Sequence, residues 1–262
     1  MTILRILFNL GREIKNWDRA SQIALAIALI LFVIDIIVLA TVPELQTQAA
    51  IGGIGLMLAI QAIVMWGNRN LVTAFTQAQR LFIAGEFAQA ASVLEEHIAE
   101  EEHPVIDTLV LLGNTYRNLG RLEESRDILT QALERRADYH FALYAYGKTA
   151  LAEGQYDTAM TYFQQAIDND APDVIAFDLV LTTYLLGDAK KTQQLVADLP
   201  DLDEPHRQLF LAHITADKHA TSLDKATQQA GLAFWQAEVD RFAHTPYGQQ
   251  IAHETEQMKK LL

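Results

Sequence analysis

The residues of this chain with chemical potential are eight histidines and one acid, Asp35, inside a long apolar run. Cysteine is absent, which excludes disulfides, Cys-ligated zinc and thiol nucleophiles. His206, His213 and His219 follow one another at spacings of seven and six. His206 and His213 would share a helix face, but two turns separate them, whereas zinc on one helix wants an i, i+4 pair. No Gly-rich phosphate loop, His-Glu-x-x-His or Gly-x-Ser-x-Gly pattern occurs. The expectation is a protein without enzymatic activity, metal or cofactor.

Charge narrows the partners. The net charge is −13, but residues 1–70 sum to +1, leaving −14 on the other 192 residues. A surface so acidic cannot displace counterions from phosphates, so nucleic acid is not expected as a partner.

Asp35 belongs to a pair of apolar runs. Ile23–Val42 has 20 residues broken only by Asp35, enough to cross roughly 30 Å of hydrocarbon. After the polar stretch Pro43–Gln48, Ala49–Trp66 is a second run of 18 with one interruption, Gln61. Two transmembrane helices, 23–42 and 49–66, joined by so short a loop make a hairpin with both ends on one side. Arg5, Arg12, Lys15 and Arg19 precede the first span, none lies in the loop, and Arg69 and Arg80 follow the second. This bias places both ends in the cytoplasm, and the expected location is a bacterial cytoplasmic membrane. Ile3, Leu7, Leu10, Ile14 and Trp17 line one helical face, so residues 1–22 read as an amphipathic helix on the lipid surface.

An ionisable group within a span is a functional-site hypothesis by default. Counting depth down both helices sets Asp35 opposite Gly52, Gly53 and Gly55. That pattern suits a polar contact that locks the hairpin or docks it to a third helix. Ala20, Ala24 and Ala28, and Gly55 and Ala59, are small residues one turn apart, a spacing that favours helix association in lipid.

The elements that follow repeat. Leu112-Gly113-x-x-Tyr116, Gly120, Leu122, Ser125, Leu129 and Ala132 are matched 34 residues later by Tyr146-Gly147-x-x-Ala150, Gly154, Tyr156, Ala159, Phe163 and Ala166. Small residues at fixed offsets with large ones between mark a helix–turn–helix repeat. Gly113 and Gly147 permit close helix approach; Gly120 and Gly154 fall where a first helix must stop. Residues 71–105 form a weaker unit, with Ala78 in place of Gly113, and 174–206 a degenerate fourth after 106–139 and 140–173. With no proline at the junction, a nearly continuous helix is expected from the second span into the first unit. Residues 207–262 read as a helical cap over the last apolar face. In it, Thr221-x-x-Asp224 reads as the start of one helix, and Ile251, Thr255, Met258 and Leu262 as the face of the last.

This pattern resembles the tetratricopeptide repeat family, over about 71–206. The fold expected is all-α: a transmembrane hairpin, then a tetratricopeptide-type α-solenoid with a helical C-terminal cap. In that family the first helix of each unit lines a concave groove that takes a peptide or partner helix. The resemblance maps the groove onto Phe75, Gln79 and Phe82, then Val110, Asn114 and Arg117, then Phe141, Tyr144 and Lys148. Of the family's carboxylate-clamp set only Asn114 matches in type, so that specialised use is not expected. The function implied is a scaffold that binds a protein partner at the cytoplasmic membrane surface. The alternative is an accessory or assembly subunit of a larger membrane complex, docked to other membrane-protein subunits through its hairpin and Asp35.

Overall fold

The computed structural model describes residues 17–68, 73–200, 202–215 and 223–260. The amphipathic helix expected before Trp17 lies outside these residues, as do Thr221 and Leu262. The continuous helix expected at the junction would pass through 69–72, also outside them. The chain divides into two compact units after Thr73.

The first unit is a helical hairpin: α1 (Arg19–Thr41), a 3-10 turn (Pro43–Leu45) and α2 (Gln46–Asn68). Asp18 starts α1, its carboxylate accepting from the Ser21 amide at 3.0 Å and the Ser21 hydroxyl at 2.8 Å. Each helix has 23 residues, about 34 Å at the α-helical rise. Both are long and apolar enough to cross a membrane. Their contact is a narrow seam. Ser21, Leu25, Ala28, Phe32 and Asp35 from α1 turn inward, as do Ala49, Gly53, Leu56, Ile60 and Gly67 from α2. Alternating steps of three and four are the period of two helices wound on each other. Trp17 is buried on Gly67, where a Cβ would lie 2.5 Å from the indole. Ile23, Ile30, Ile51, Ile54 and Leu58 point outward and are more than half exposed, a surface that only an apolar medium or a partner suits.

The second unit is an array of helical hairpins. Its helices are α3 (Ala74–Ile83), α4 (Phe87–Glu100), α5 (Ile106–Asn118), α6 (Leu122–Arg135), α7 (His140–Ala152), α8 (Tyr156–Asp168), α9 (Ala176–Leu185) and α10 (Ala189–Ala197). Then follow α11 (Pro205–Ile214), α12 (Lys225–Phe242) and α13 (Pro246–Lys260). Consecutive helices of this unit pack on one another except α10 and α11, and α5 also packs on α3 and α7, so these first helices form one inner layer.

The same turn closes each of the four hairpins. Gly85, Gly120, Gly154 and Gly187 have φ of +75° to +83°. The amide after each glycine reaches back five residues: Glu86 to Leu81, Arg121 to Tyr116, Gln155 to Ala150 and Asp188 to Thr183. These bonds satisfy carbonyls that a helix end otherwise leaves bare.

Within a hairpin, size complementarity sets the distance. A Cβ on Gly113 would stand 2.5 Å from Leu129 Cγ, and one on Gly147 2.7 Å from the Phe163 ring. Between hairpins a buried polar chain runs across three helices. The Ser125 hydroxyl donates to the Gly113 carbonyl at 2.8 Å and lies 2.8 Å from Thr149 Oγ1. Ser125 therefore does more than keep a small residue at a crowded crossing.

The cap departs from expectation in one detail. Asp224, not Thr221, precedes α12, its carboxylate accepting from the Thr227 amide at 2.7 Å.

Gly147→Ala is expected to cost about 1–3 kcal/mol in urea unfolding, since the new methyl overpacks a fully buried ring. Adding Phe163→Leu should return part of that loss; an additive double mutant would show that the glycine does not set the crossing distance.

Candidate functional site

The inner face of the array is built from side chains one period apart. Tyr144 and Lys148 lie one turn apart on α7, and Asp178 on α9 is 34 residues beyond Tyr144. The repeat therefore sets them against each other. Lys148 Nζ lies 2.8 Å from Asp178 Oδ1, and the Tyr144 hydroxyl donates to Oδ2 at 2.8 Å. The Asp178 side chain is only 6% exposed, so these two donors are what let it keep its charge. Burial pulls the Lys148 ammonium down, but Asp178, Tyr144 and Glu238 outweigh it and the net shift is upward. Burial, then Asp178, pushes the Tyr144 hydroxyl up, so it stays a donor.

On α5, Arg117 Nη1 donates to Asn114 Oδ1 at 2.6 Å. No described carboxylate pairs with it within 4 Å, and burial drives its pKa down.

This face is not open. Helices α12 and α13 fold back across it. Trp235 on α12 is 1% exposed, and its indole N–H donates to the His206 carbonyl at 2.9 Å. Phe234 stacks on the His206 ring at 3.8 Å. Glu238 turns toward the inner face, accepting from Arg241 at 2.9 Å and from the Tyr247 hydroxyl at 3.3 Å. At the far end of α12, the Arg241 guanidinium sits 5.9 Å over the Phe87 ring on α4.

Helix α13 covers the ends of the inner helices. A Cβ on Gly154, just beyond α7, would meet Pro246 at 2.7 Å. Gln250 accepts from the Tyr156 hydroxyl at 2.6 Å and donates to the Leu185 carbonyl at 3.1 Å. Glu254 accepts from the Tyr184 hydroxyl at 2.9 Å and lies 2.7 Å from His213 Nε2.

Two adjoining cavities remain between α12 and the inner face, of about 180 and 250 Å³. Lys148, Phe234, Glu238 and Tyr247 line both.

Residues 104–171 match the family model of the tetratricopeptide repeat. Over this stretch the chain carries tetratricopeptide repeats. Two solved structures of nearly identical tetratricopeptide-like repeats, assigned to a kinesin light chain from Podosopora anserina, also resemble it. They share 16% and 17% identity, cover 72% of this chain and 92% of theirs, and give a TM-score of 0.44. No curated protein matches the chain.

The structure distributes the expected groove residues of the tetratricopeptide array unevenly. It brings Asn114 to Arg117 and Tyr144 to Lys148, and places Arg117 and Lys148 beneath α12. Val110 is buried. Phe141 is apart from these, 50% exposed and packed on the rings of Tyr139 and His140. On α3, Phe75 and Phe82 are half-buried and Gln79 is exposed, with Phe82 edge-on to Phe87 at 5.3 Å.

Reading the sequence missed Asp178, Phe234, Trp235 and Glu238. Asp178 was accessible in principle, as the residue one period after Tyr144; the others belong to a helix outside the period.

In the apolar hairpin, the Asp35 carboxylate lies against the other helix. A Cβ on Gly52 would be 3.2 Å from Asp35 Oδ1 and one on Gly53 2.7 Å from Oδ2. Gly55 and Ala59 lie outside this contact: both are exposed, and nothing lies within 4 Å of a Cβ on Gly55. The heptad-like seam turns Gly53 and Leu56 inward, which leaves Gly55 and Ala59 on the outside. No metal-binding cluster of His, Asp or Glu occurs among the described residues. His213 instead pairs with Glu254.

Burial, then the neighbouring Arg207, pushes the His206 imidazole down to about 4. Between about pH 6.5 and 4 the unfolded chain binds a proton here that the folded chain does not, so stability falls as pH drops through that window. His206→Phe keeps a ring against Phe234 and removes the titration. Urea unfolding should show a smaller loss between roughly pH 7 and 5 in the variant than in the wild type. An equal loss would assign the acid sensitivity to other groups.

Proposed function

We propose that this protein is a membrane-anchored tetratricopeptide scaffold that holds a protein partner at the cytoplasmic face of the membrane. Tetratricopeptide repeats imply a protein–protein interaction scaffold, a fold that is generally non-catalytic. The observation that carries the reading is one chain joining such an array to two helices of membrane-spanning length and composition. Basic residues flank the hairpin at Arg19 and Arg69 and are absent from its loop, which supports a cytoplasmic array.

The partner contact is the part of the inner layer that α12 leaves uncovered. Arg117, Tyr144 and Lys148 lie beneath the chain's own cap, so a peptide or helix docks on α3 beside α5. Phe75, Gln79 and Phe82 lie along one face of α3, with Ile83 at its end 78% exposed. Asn114 is the adjoining polar group on α5.

A second reading draws on Asp35. Its carboxylate has no hydrogen-bond partner among the described residues, and it lines a cleft of about 370 Å³ with Leu31, Leu45, Gln48 and Leu56. A polar group so placed in lipid suits a donor from another subunit's helix.

Purification of the full-length chain in nanodiscs, with mass spectrometry of what accompanies it, tests both. Gln79→Arg with Ile83→Glu alters only exposed side chains and should release soluble partners. Partners retained by that variant would contradict the α3 site. Membrane subunits lost in Asp35→Leu and kept in the α3 variant would favour the second reading.

A further inference from the structure

The cavities beneath α12 have a charge balance that the rest of the domain does not share. Arg117, Lys148, Arg207 and Arg241 border them, against the carboxylates of Asp178 and Glu238. Lys148 is neutralised by Asp178 at 2.8 Å and Arg241 by Glu238 at 2.9 Å. One cation, Arg117, is left without a carboxylate. Arg117 has only the neutral Asn114 amide oxygen. Arg207 donates Nη1 to the Val174 carbonyl at 3.1 Å and lies 3.6 Å from Glu204, but its buried Nε has no partner. A domain carrying −14 could readily have supplied one more acid. Leaving a partly desolvated guanidinium beside a neutral amide costs stability unless something anionic completes it.

The walls define the rest of the ligand. Phe177, Leu181 and Trp235 line one cavity, Leu151 and Phe242 the other, and Phe234 both. Joined, the cavities reach the lower end of the size range of small-molecule sites, which are mostly apolar with a few fixed polar groups. His206, neutral near pH 7, adds a flat face and no charge to compete for the anion.

We propose that these cavities bind a small organic carboxylate, its head on the Arg117 guanidinium and its apolar body against Phe234. An inorganic anion would gain the guanidinium and leave the aromatic walls unmatched. The cap thereby turns a groove for polypeptides into a pocket for a metabolite-sized ligand. This site stands apart from the α3 contact, and either can fail without the other.

The test uses the full-length chain in nanodiscs, with benzoate as the probe and inorganic phosphate and sodium chloride at matched ionic strength as comparisons. Thermal unfolding and titration calorimetry should show saturable benzoate binding that raises Tm, with neither comparison doing so. Arg117→Met should weaken benzoate at least tenfold while leaving the ligand-free Tm unchanged or higher, because it replaces a half-buried cation that has no carboxylate partner with an apolar chain of similar length. If that variant does not fold, Arg117→Lys carries the test: it keeps the charge, loses the fork, and should weaken benzoate roughly tenfold. Absence of saturable benzoate binding overturns the proposal. So do a phosphate response larger than that of benzoate, and undiminished benzoate binding in whichever Arg117 variant folds.

Discussion

A stack of helical hairpins buries apolar surface between neighbours, but the inner face and the last unit have no neighbour and must be covered by something else. Here the cover is the chain's own C-terminal pair. Trp235, Phe242, Tyr247, Ile251 and Met258 are each at most 4% exposed and share one core with Phe163, Phe177 and Phe210. The consequence is clearest in α9, where every residue from Phe177 to Thr183 is at most 4% exposed. A helix so enclosed no longer presents a stripe to the core and a face to water. It has become the centre of a closed domain, with α12 and α13 sharing its core.

Closing the face forces polar groups indoors, where the array and the cap each pair their own. Asp178 is held by Lys148 and Tyr144, and Glu238 by Arg241 and Tyr247. Buried pairs of this kind add little net stability; the hydrogen bond that ties α12 to the array is the Trp235 indole on the His206 carbonyl at 2.9 Å. The Glu254 contacts to Tyr184 and His213 fix α13 in the same way. The inner surface of units two to four is therefore committed to the cap, and a polypeptide partner is left the α3 end. This division of the inner layer is what separates the proposed protein contact from the proposed small-anion pocket.

Much of the architecture was legible because it obeys local rules. The 34-residue period, the four turn glycines and the Gly113–Leu129 and Gly147–Phe163 exchanges of size all appear within a few dozen residues of chain. The two apolar runs announce themselves by length. The cap was legible as helices and not as an occupant of the groove. Its decisive contacts link Tyr156 to Gln250, 94 residues apart, and Tyr184 to Glu254, 70 apart, with no period to relate them. Arg117 and Lys148 read as groove anchors because their offsets in the repeat are right, and they do face the groove. What fills it is encoded by Trp235 and Glu238, which in isolation are one aromatic and one acid on an ordinary helix. In the apolar hairpin, depth counting set Asp35 opposite Gly52 and Gly53, while helical phase, which depth ignores, turned Gly55 and Ala59 outward.

The most direct test of the account is native-state hydrogen exchange on the full-length protein, comparing amides of α12 and α13 with those of α7 and α9. If the cap is an integral part of the core, the slowest amides of all four helices should open with the same free energy and the same denaturant dependence. Exchange in α12 and α13 that is orders of magnitude faster, with α7 and α9 still protected, would contradict it. The C-terminal helices would then be a detachable tail, and the inner face an open groove.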